Sequence, residues 1–239
     1  MDTASNYQPL EGTNRNVIIN PYRYGWLPSS ISNLYAWYRA DLYGGTATQW
    51  DDISGNGRHA TEATNYPTFN ASGGSGDQAY FEFDGTNDKF GLAQASFGTV
   101  SQPSTVCVVF KSDATTGIRT IMDSTNLSAR QAIFVPYTYD RLASFAGTLV
   151  GTTAVGTTSW HYAVVNFDSV TSFIRQDGVL VNTGNPGTMS LGGISIGSYQ
   201  SGTGNFFDGR LSELIIFDKE VSGDELTALE TYLATRYAI

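Results

Sequence analysis

The chain has 239 residues, enough for one large all-β domain of about 200–250 residues. Its net charge of −9, with thirteen Lys and Arg residues that are scattered along the chain, argues against nucleic acid as a partner. The single cysteine, Cys107, excludes an intrachain disulfide and a multi-cysteine metal site. The first residues lack the apolar stretch of a signal peptide, and no run approaches the roughly 18 apolar residues of a membrane span. We therefore expect no membrane segment and no export on a signal of its own.

Residues 1–30 are polar, irregular and interrupted by prolines, which predicts an extended N-terminal arm before a domain spanning 31–239. We predict that the arm attaches the domain to something outside it. The alternative is that the arm lies along its own domain. The expected anchors are the larger apolar side chains of the arm, namely Val17, Ile18, Ile19, Tyr22, Tyr24 and Trp26.

The next segments predict strands and one tight corner. Residues 34–40 are short, aromatic and typical of a first core strand. In 50–59, Gly-Asn-Gly suits a turn with positive φ, and Trp50 and Ile53 are placed to anchor it in a core. Residues 64–78 are predicted to be a loop. In 80–84, Phe81 and Phe83 alternate with Glu82 and Asp84, as in a half-buried strand.

The second half predicts further strands and a closing helix. Asp177-Gly178 is a strong tight-turn signal between two alternating runs. Cys107 lies in an apolar run and is expected to be a buried strand thiol. A helix is predicted over 222–237, with Ser222 and Glu225 as a capping box and an apolar stripe at steps of three to four. The predicted strands are 105–111, 120–122, 132–135, 141–146, 159–167 and 172–181, and the stripe is Leu226, Leu229, Leu233 and Tyr237.

Four motifs, met in this order, resemble those of laminin-G-like, concanavalin A-like jelly-roll domains. They are Trp-x-Asp-x-Ser-Gly-Asn-Gly-x-His-Ala from Trp50, Phe-Asp-Gly-x-x-Asp ending at Asp88, Trp-His-x-x-Val with Asp-Gly-x-x-Val, and Ile-Gly followed by Phe-x-Gly-x-Leu-x-Glu. The resemblance implies an all-β, two-sheet antiparallel jelly-roll sandwich, here with an extended N-terminal arm and one C-terminal helix. Strands at short spacing with one terminal helix indicate a sandwich independently.

No catalytic residue is predicted. The β-glucanases that share this jelly roll place Glu-x-Asp-x-x-Glu on one strand, so that alternate carboxylates face one cleft. Here Glu82 and Asp84 are followed by Asn87 in the third position. The two histidines, His59 and His161, are expected to be structural. We therefore expect a protein that is not an enzyme.

The resemblance also implies calcium, because such domains often bind it at a sandwich edge through Asp, Asn and carbonyl oxygens, the ligands it prefers. Asp84, Asn87 and Asp88 form the first candidate cluster. The second candidate cluster is Asp51, Asp52 and Asn56. The alternative is that Asp84 and Asp88 simply accept hydrogen bonds from turn amides.

Carbohydrate binding requires exposed aromatic side chains beside polar groups. Tyr137, Tyr139 and Tyr199 lie in predicted loops and are candidates, with core or inter-subunit packing as the alternative. Phe206 and Phe207 flank the same loop as Tyr199, and for these two residues we expect core or inter-subunit packing and not carbohydrate binding.

The arm sequence Asn20-Pro21-Tyr22-Arg23-Tyr24 and the closing Tyr-Leu-Ala-Thr-Arg-Tyr resemble bacteriophage virion proteins that carry such domains. The resemblance implies a structural protein that is made in the host cytoplasm and incorporated in the virion. It would be a capsid decoration or tail protein, bound through its arm to the major capsid protein or another virion protein. We expect a homo-oligomer and take a trimer as the working hypothesis. A cell-surface glycan is expected as a second partner. The alternative function is a free carbohydrate-binding lectin, with or without calcium.

Overall fold

The computed structural model describes residues 26–154, 156 and 158–239. Within them the chain forms strands joined by turns and two α-helices, α1 (Gln94–Phe97) and α2 (Gly223–Tyr237). The strands are β1 (Leu34–Arg39), β2 (Gln49–Trp50), β3 (Ala60–Thr61), β4 (Thr68–Asn70), β5 (Tyr80–Asp84), β6 (Phe90–Leu92), β7 (Thr99–Val100), β8 (Ser104–Ser112), β9 (Gly117–Asp123), β10 (Ala132–Thr138), β11 (Arg141–Phe145), β12 (Leu149–Ala154), β13 (His161–Phe167), β14 (Phe173–Gln176), β15 (Val179–Thr183), β16 (Leu191–Gly192), β17 (Ile194–Ile196) and β18 (Asp208–Phe217).

Two antiparallel sheets of eight strands pack face to face. Sheet A has the order β15-β14-β13-β8-β18-β5-β4, with β1 also paired to β18. Sheet B has the order β12-β11-β10-β9-β17-β6-β3-β2, and β7 pairs with β16 in a separate ribbon. Non-consecutive strands lie side by side, as in a jelly roll. The predicted two-sheet sandwich with one C-terminal helix is confirmed.

The centre of sheet A is buried on both faces, because the sandwich core covers one face and α2 covers the other. Along β8, Val106, Val108 and Phe110 point into the core between the sheets. Cys107 and Val109 point to the opposite face, where they pack beneath α2. Successive side chains of a strand alternate between faces, so a strand covered twice is apolar throughout. The expectation that Cys107 is a buried thiol is confirmed.

The apolar stripe of α2 is also confirmed, but its predicted cap is wrong. Leu229, Leu233 and Tyr237 are buried on sheet A. Ser222 occupies the N-cap position without a side-chain cap hydrogen bond. Glu225 does not complete a capping box, since its carboxylate lies 2.7 Å from the Lys219 ammonium.

One buried carboxylate lies between α2 and sheet A. Glu213 is 1% exposed, and its Oε1 accepts hydrogen bonds from Trp37 Nε1 at 2.5 Å and the Tyr232 hydroxyl at 2.8 Å. Its Oε2 accepts one from the Tyr237 hydroxyl at 2.7 Å. Burial raises the pKa of Glu213, against the opposing effect of the Tyr237 hydrogen bond and the nearby Arg39 charge. Three donors from two elements, one from β1 and two from α2, therefore meet at one side chain.

The corner at 50–59 has the structural role expected of it. Trp50 is fully buried, with its ring 4.9 Å from Phe81, and Gly55 and Gly57 have φ of 91° and 69°. Asp52 accepts hydrogen bonds from three backbone amides, those of Trp37, Ser54 and Arg58. These contacts fix the turn against β1.

Two further turn predictions have different outcomes. In the β14–β15 hairpin, Asp177 and Gly178 have φ of 49° and 76°, the positive values of a type I′ turn, so the tight turn is confirmed. The loop predicted over 64–78 is wrong in part, because it contains β4, which pairs with β5 at the edge of sheet A. Three residues with one apolar side chain, Phe69, are too short to show a period-2 pattern.

Most of the predicted arm lies outside the described residues, including Val17, Ile18, Ile19, Tyr22 and Tyr24. Trp26 is described and packs on the domain itself, with its ring centroid 6.0 Å from that of Tyr232 in α2. Over the described part of the chain, neither helix has the length and apolar character that crossing a membrane requires.

Candidate functional site

The outer face of sheet B carries an apolar cluster of its own. Ala132, Phe134 and Ala143 are buried there, apart from the core between the sheets, and Tyr137 and Phe145 pack partly exposed against them. Helix α2 lies on the other sheet. An apolar cluster on a face turned to solvent is the kind of surface that marks a binding site.

A cavity of about 280 Å³ opens on this face. Strands β9 to β12 form its floor, and the segment before β10 and the loop after β17 form its rim. This volume lies near the lower end of the roughly 300–1,000 Å³ typical of ligand pockets. We call it the sheet B cavity. The residues that line it are Ile118, Arg130, Phe134, Tyr137, Phe145, Leu149, Tyr199 and Asn205.

Irregular pairing of β10 puts two of these aromatic rings together. In a regular strand, residues three apart such as Phe134 and Tyr137 point to opposite faces. The register between β10 and β9 shifts on both sides of Phe134, and such bulges re-aim the side chains that follow. The two rings consequently lie on one face with centroids 5.9 Å apart.

Backbone hydrogen bonds hold the rim loop in place. Tyr199 N–H donates to the Gly204 carbonyl at 2.9 Å, and Thr120 N–H in β9 donates to the Asn205 carbonyl at 2.8 Å. Ser201 N–H donates to Ser195 Oγ of β17 at 3.2 Å. Tyr199 and Asn205 are therefore positioned before any ligand arrives.

Arg130 is the cationic side chain of the cavity. Its Nε and Nη2 donate to the two carboxylate oxygens of Asp123 at 2.9 and 2.8 Å. Asp123 is fully buried, and burial raises its pKa while the Arg130 charge opposes this rise. Three rings surround the guanidinium, with centroids at 5.7 Å for Phe134, 4.7 Å for Phe145 and 4.8 Å for Tyr199.

The cavity thus combines ring faces with a small number of polar groups. Aromatic faces pack against the apolar side of a ligand, and the tyrosine hydroxyls, Asn205 and Arg130 supply hydrogen bonds. Such a mixture suits a ligand that is apolar on one face and hydroxylated at its edges.

Of the three tyrosines predicted to bind carbohydrate, the structure brings Tyr137 and Tyr199 together in the cavity. Tyr139 lies outside the lining and is 66% exposed. Phe207 is fully buried, as expected of a core residue. The predicted site residues did not include the other six residues of the lining, which are Ile118, Arg130, Phe134, Phe145, Leu149 and Asn205. The alternation along β11 could have identified Phe145. Leu142 points into the core, so Phe145, three residues later on the strand, points to the outer face.

The first calcium cluster forms a hydrogen-bonded turn. Asp84 Oδ1 accepts from the amides of Thr86 at 2.8 Å and Asn87 at 3.2 Å, and Asp88 Oδ2 accepts from the Asp84 amide at 3.0 Å. Partial burial, aided by the Asp84 charge, raises the pKa of Asp88 to about 6. These contacts match the alternative of amide-bonded carboxylates, and calcium binding here stays a prediction.

The second cluster is also occupied by protein donors. Asp51 accepts from the Gly44 amide and from Gln49 Nε2, both at 2.5 Å, and Asn56 Nδ2 donates to the carbonyls of Leu34 and Tyr35. Among the described residues, three or more His, Cys, Asp or Glu side chains are nowhere grouped as metal ligands.

The residues weighed for catalysis have structural partners. The Glu82 carboxylate lies 2.7 Å from the Arg210 guanidinium. His161 Nδ1 lies 2.6 Å from Asp177 and its Nε2 lies 2.7 Å from the Gly156 carbonyl, so this imidazole is partnered as expected.

Solved structures share the fold at low sequence identity. Sialidase of Trypanosoma rangeli, in complex with sialic acid, matches with a TM-score of 0.62 and 11% identity, over 87% of this chain and 34% of the sialidase. The binding domain of botulinum neurotoxin serotype G matches with a TM-score of 0.61 and 14% identity, over 85% of this chain and 52% of the toxin domain. A third match is domain 4 of AbnA, an extracellular arabinanase from Geobacillus stearothermophilus, in complex with arabinotriose. Its TM-score is 0.56 and its identity 16%, over 83% of this chain and 98% of domain 4. The chain thus spans about a third of the length of the sialidase and about half of the toxin domain.

No curated protein matches the sequence. A family model does, over residues 84–227, which is more than half of the chain. That segment runs from the end of β5 into α2 and includes every residue of the sheet B cavity. The chain belongs to the family described as the concanavalin A-like lectin/glucanases superfamily.

Proposed function

We propose that this domain binds a glycan in the sheet B cavity. The observation that carries the proposal is the cavity itself, where Phe134, Tyr137, Phe145 and Tyr199 surround polar groups on a solvent-facing sheet. A sugar ring has apolar C–H faces and hydroxyl edges, so it can pack on aromatic faces and hydrogen-bond at its rim. Domain 4 of AbnA, which has the same fold, was solved with arabinotriose, so an oligosaccharide is a compatible ligand for such a sandwich.

The proposed activity is binding without catalysis. The cavity lining contains no carboxylate, and the buried Asp123 behind it is engaged by Arg130. Glycoside hydrolysis normally needs two carboxyl groups on either side of the scissile bond. The described cavity residues do not supply that pair.

A glycan array on the full chain, followed by calorimetry on the best glycan, tests the proposal. Tyr199→Ala should weaken binding tenfold or more, a loss of at least about 1.4 kcal/mol, because the ligand loses a ring face and a rim hydrogen bond. Tyr139→Ala is the matched control, since this exposed tyrosine lies outside the lining. The Tyr139→Ala variant should bind the glycan as tightly as the unaltered protein does. Silence across the array, or equal loss in both variants, would refute the proposal.

Attachment to a virion is a second proposal, supported by the sequence resemblance of the arm. We infer that residues 1–25 bind the major capsid protein or another virion protein, and that a homo-oligomer then displays the cavity outward. A truncation that begins at Trp26 keeps the contact of this ring with Tyr232. It should melt cooperatively yet fail to join the particle, whereas normal incorporation of the truncated chain would contradict the attachment role.

A further inference from the structure

The guanidinium of Arg130 has donors that the described part of the chain does not use. An arginine side chain carries five N–H donors. The side fork of Nε and Nη2 binds Asp123, which takes two of them. Among the described residues no acceptor binds the remaining hydrogens, two on Nη1 and one on Nη2. The free Nη2 hydrogen and one of the two Nη1 hydrogens form the end-on fork of the guanidinium.

The surroundings limit what can reach this fork. Asp123 fixes the plane of the guanidinium from behind, and the rings of Phe134, Phe145 and Tyr199 pack around it. The Arg130 side chain remains 15% exposed and lines the cavity. Asp123 occupies the Nε–Nη2 edge, so the Nη1–Nη2 edge is the hydrogen-bonding edge that is left for a ligand.

A carboxylate is the group that fits such an edge. It only accepts hydrogen bonds, it is planar, and its two oxygens match the spacing of an arginine fork. Neutral sugar hydroxyls can also accept from these nitrogens, but their hydrogen bonds lack the charge assistance that a carboxylate provides. None of the residues that line the cavity is acidic, so no side chain of the lining repels such a group.

We propose that the sheet B cavity selects a sugar that carries a carboxylate, a uronic or sialic acid, and that Arg130 binds this carboxylate through its Nη1–Nη2 edge. This proposal rests on the glycan-binding function above and names the ligand class of the same site. The pyranose ring then packs on Tyr137 and Tyr199. The pair of Arg130 with Asp123 is neutral overall and the chain has a net charge of −9, so selectivity comes from the fork at short range and not from long-range attraction.

Calorimetry with matched saccharides tests the ligand class on the unaltered full chain. The acidic probes are 3′-sialyllactose and trigalacturonate, which separate sialic from uronic acids. The neutral counterparts are lactose and the methyl esters of both acidic probes, in which the ring is kept and the charge is removed. One acidic probe should bind at least tenfold more tightly than its own ester.

Two variants assign that preference to Arg130. Arg130→Lys keeps a positive charge beside Asp123 but lacks the fork, and should bring the ratio of acid to ester affinity close to one. The double variant Asp123→Asn/Arg130→Gln removes both charges, so neither is left buried alone, and should lose the preference while melting cooperatively. Arg210→Lys, outside the cavity, is the control and should keep the full ratio.

The outcomes distinguish selection of acidic sugars from glycan binding as such. If neutral saccharides or esters bind as tightly as the acids, glycan binding stands and acid selection is overturned. If none of the probes binds and the glycan array is also silent, both fail. If the acid preference survives in Arg130→Lys and in the double variant, the assignment to Arg130 is wrong.

Discussion

Replacing Glu213 with alanine is expected to lower the free energy of unfolding by about 4 kcal/mol. The substitution leaves Trp37 Nε1 and the hydroxyls of Tyr232 and Tyr237 without their acceptor, all inside the layer between sheet A and α2. An unsatisfied buried donor costs about 1–3 kcal/mol, and such costs are not fully additive. A cavity left by the lost side chain adds to the effect.

Urea unfolding followed by circular dichroism measures this loss. Glu225→Ala is the matched control, because its carboxylate, 41% exposed, pairs with Lys219 at the surface near the start of the same helix. That exposed pair is worth about 0–1 kcal/mol. If Glu213→Ala lowers the free energy of unfolding by less than about 1 kcal/mol, which is no more than an exposed ion pair contributes, Glu213 does not hold α2 on the sandwich.

Replacing Asp123 with asparagine is expected to cost about 3 kcal/mol of stability and to weaken ligand binding as well. Asparagine keeps the size of the side chain but leaves the Arg130 guanidinium without its counter-charge among three aromatic rings. Breaking a buried ion pair from one side typically costs about 3–5 kcal/mol, and the partial exposure of Arg130 places this pair at the low end. The amide oxygen of asparagine can accept only one of the two bonds, and its NH2 group faces the other guanidinium N–H, so the donor in the cavity is held less firmly.

A double-mutant cycle with Arg130→Gln measures the coupling between the two side chains. The double variant should be more stable than Asp123→Asn alone, since it holds neither charge. Asp113→Asn provides a surface control, because this carboxylate pairs with Arg210 and is 37% exposed. Equal losses for Asp113→Asn and Asp123→Asn would mean that the buried pair does not organise the cavity.

Local patterns in the sequence predicted the frame of the molecule well. The alternation of Phe81 and Phe83, the Asp177-Gly178 turn and the α2 stripe depend on neighbours within a few residues, where strand and helix periodicity decide the structure. The run from Val106 to Phe110 in β8 is apolar on each face, as a strand covered on both sides requires.

The site itself was predicted only in part, because long-range packing creates it. Tyr137 and Tyr199 are recognisable in the sequence as loop aromatics. Pro136 is a local signal for the irregular register of β10, since proline inside a strand marks a bulge, but it does not show that Phe134 comes to lie beside Tyr137. Arg130 became a candidate only once its partners and surrounding rings were known. Similarly, Glu213 binds Trp37 across 176 residues of chain, a pairing that only the tertiary structure reveals.

The most direct test of the account is an NMR titration of the ¹⁵N-labelled full chain with the tightest saccharide from the array. Glycan binding in the sheet B cavity predicts that the largest shift changes fall on the amides of Phe134, Tyr137, Phe145 and Tyr199 and their neighbours. Amides of α2 and of the Asp84–Asp88 turn should stay unchanged. Shift changes confined to those regions, with the cavity amides unaffected, would contradict the account.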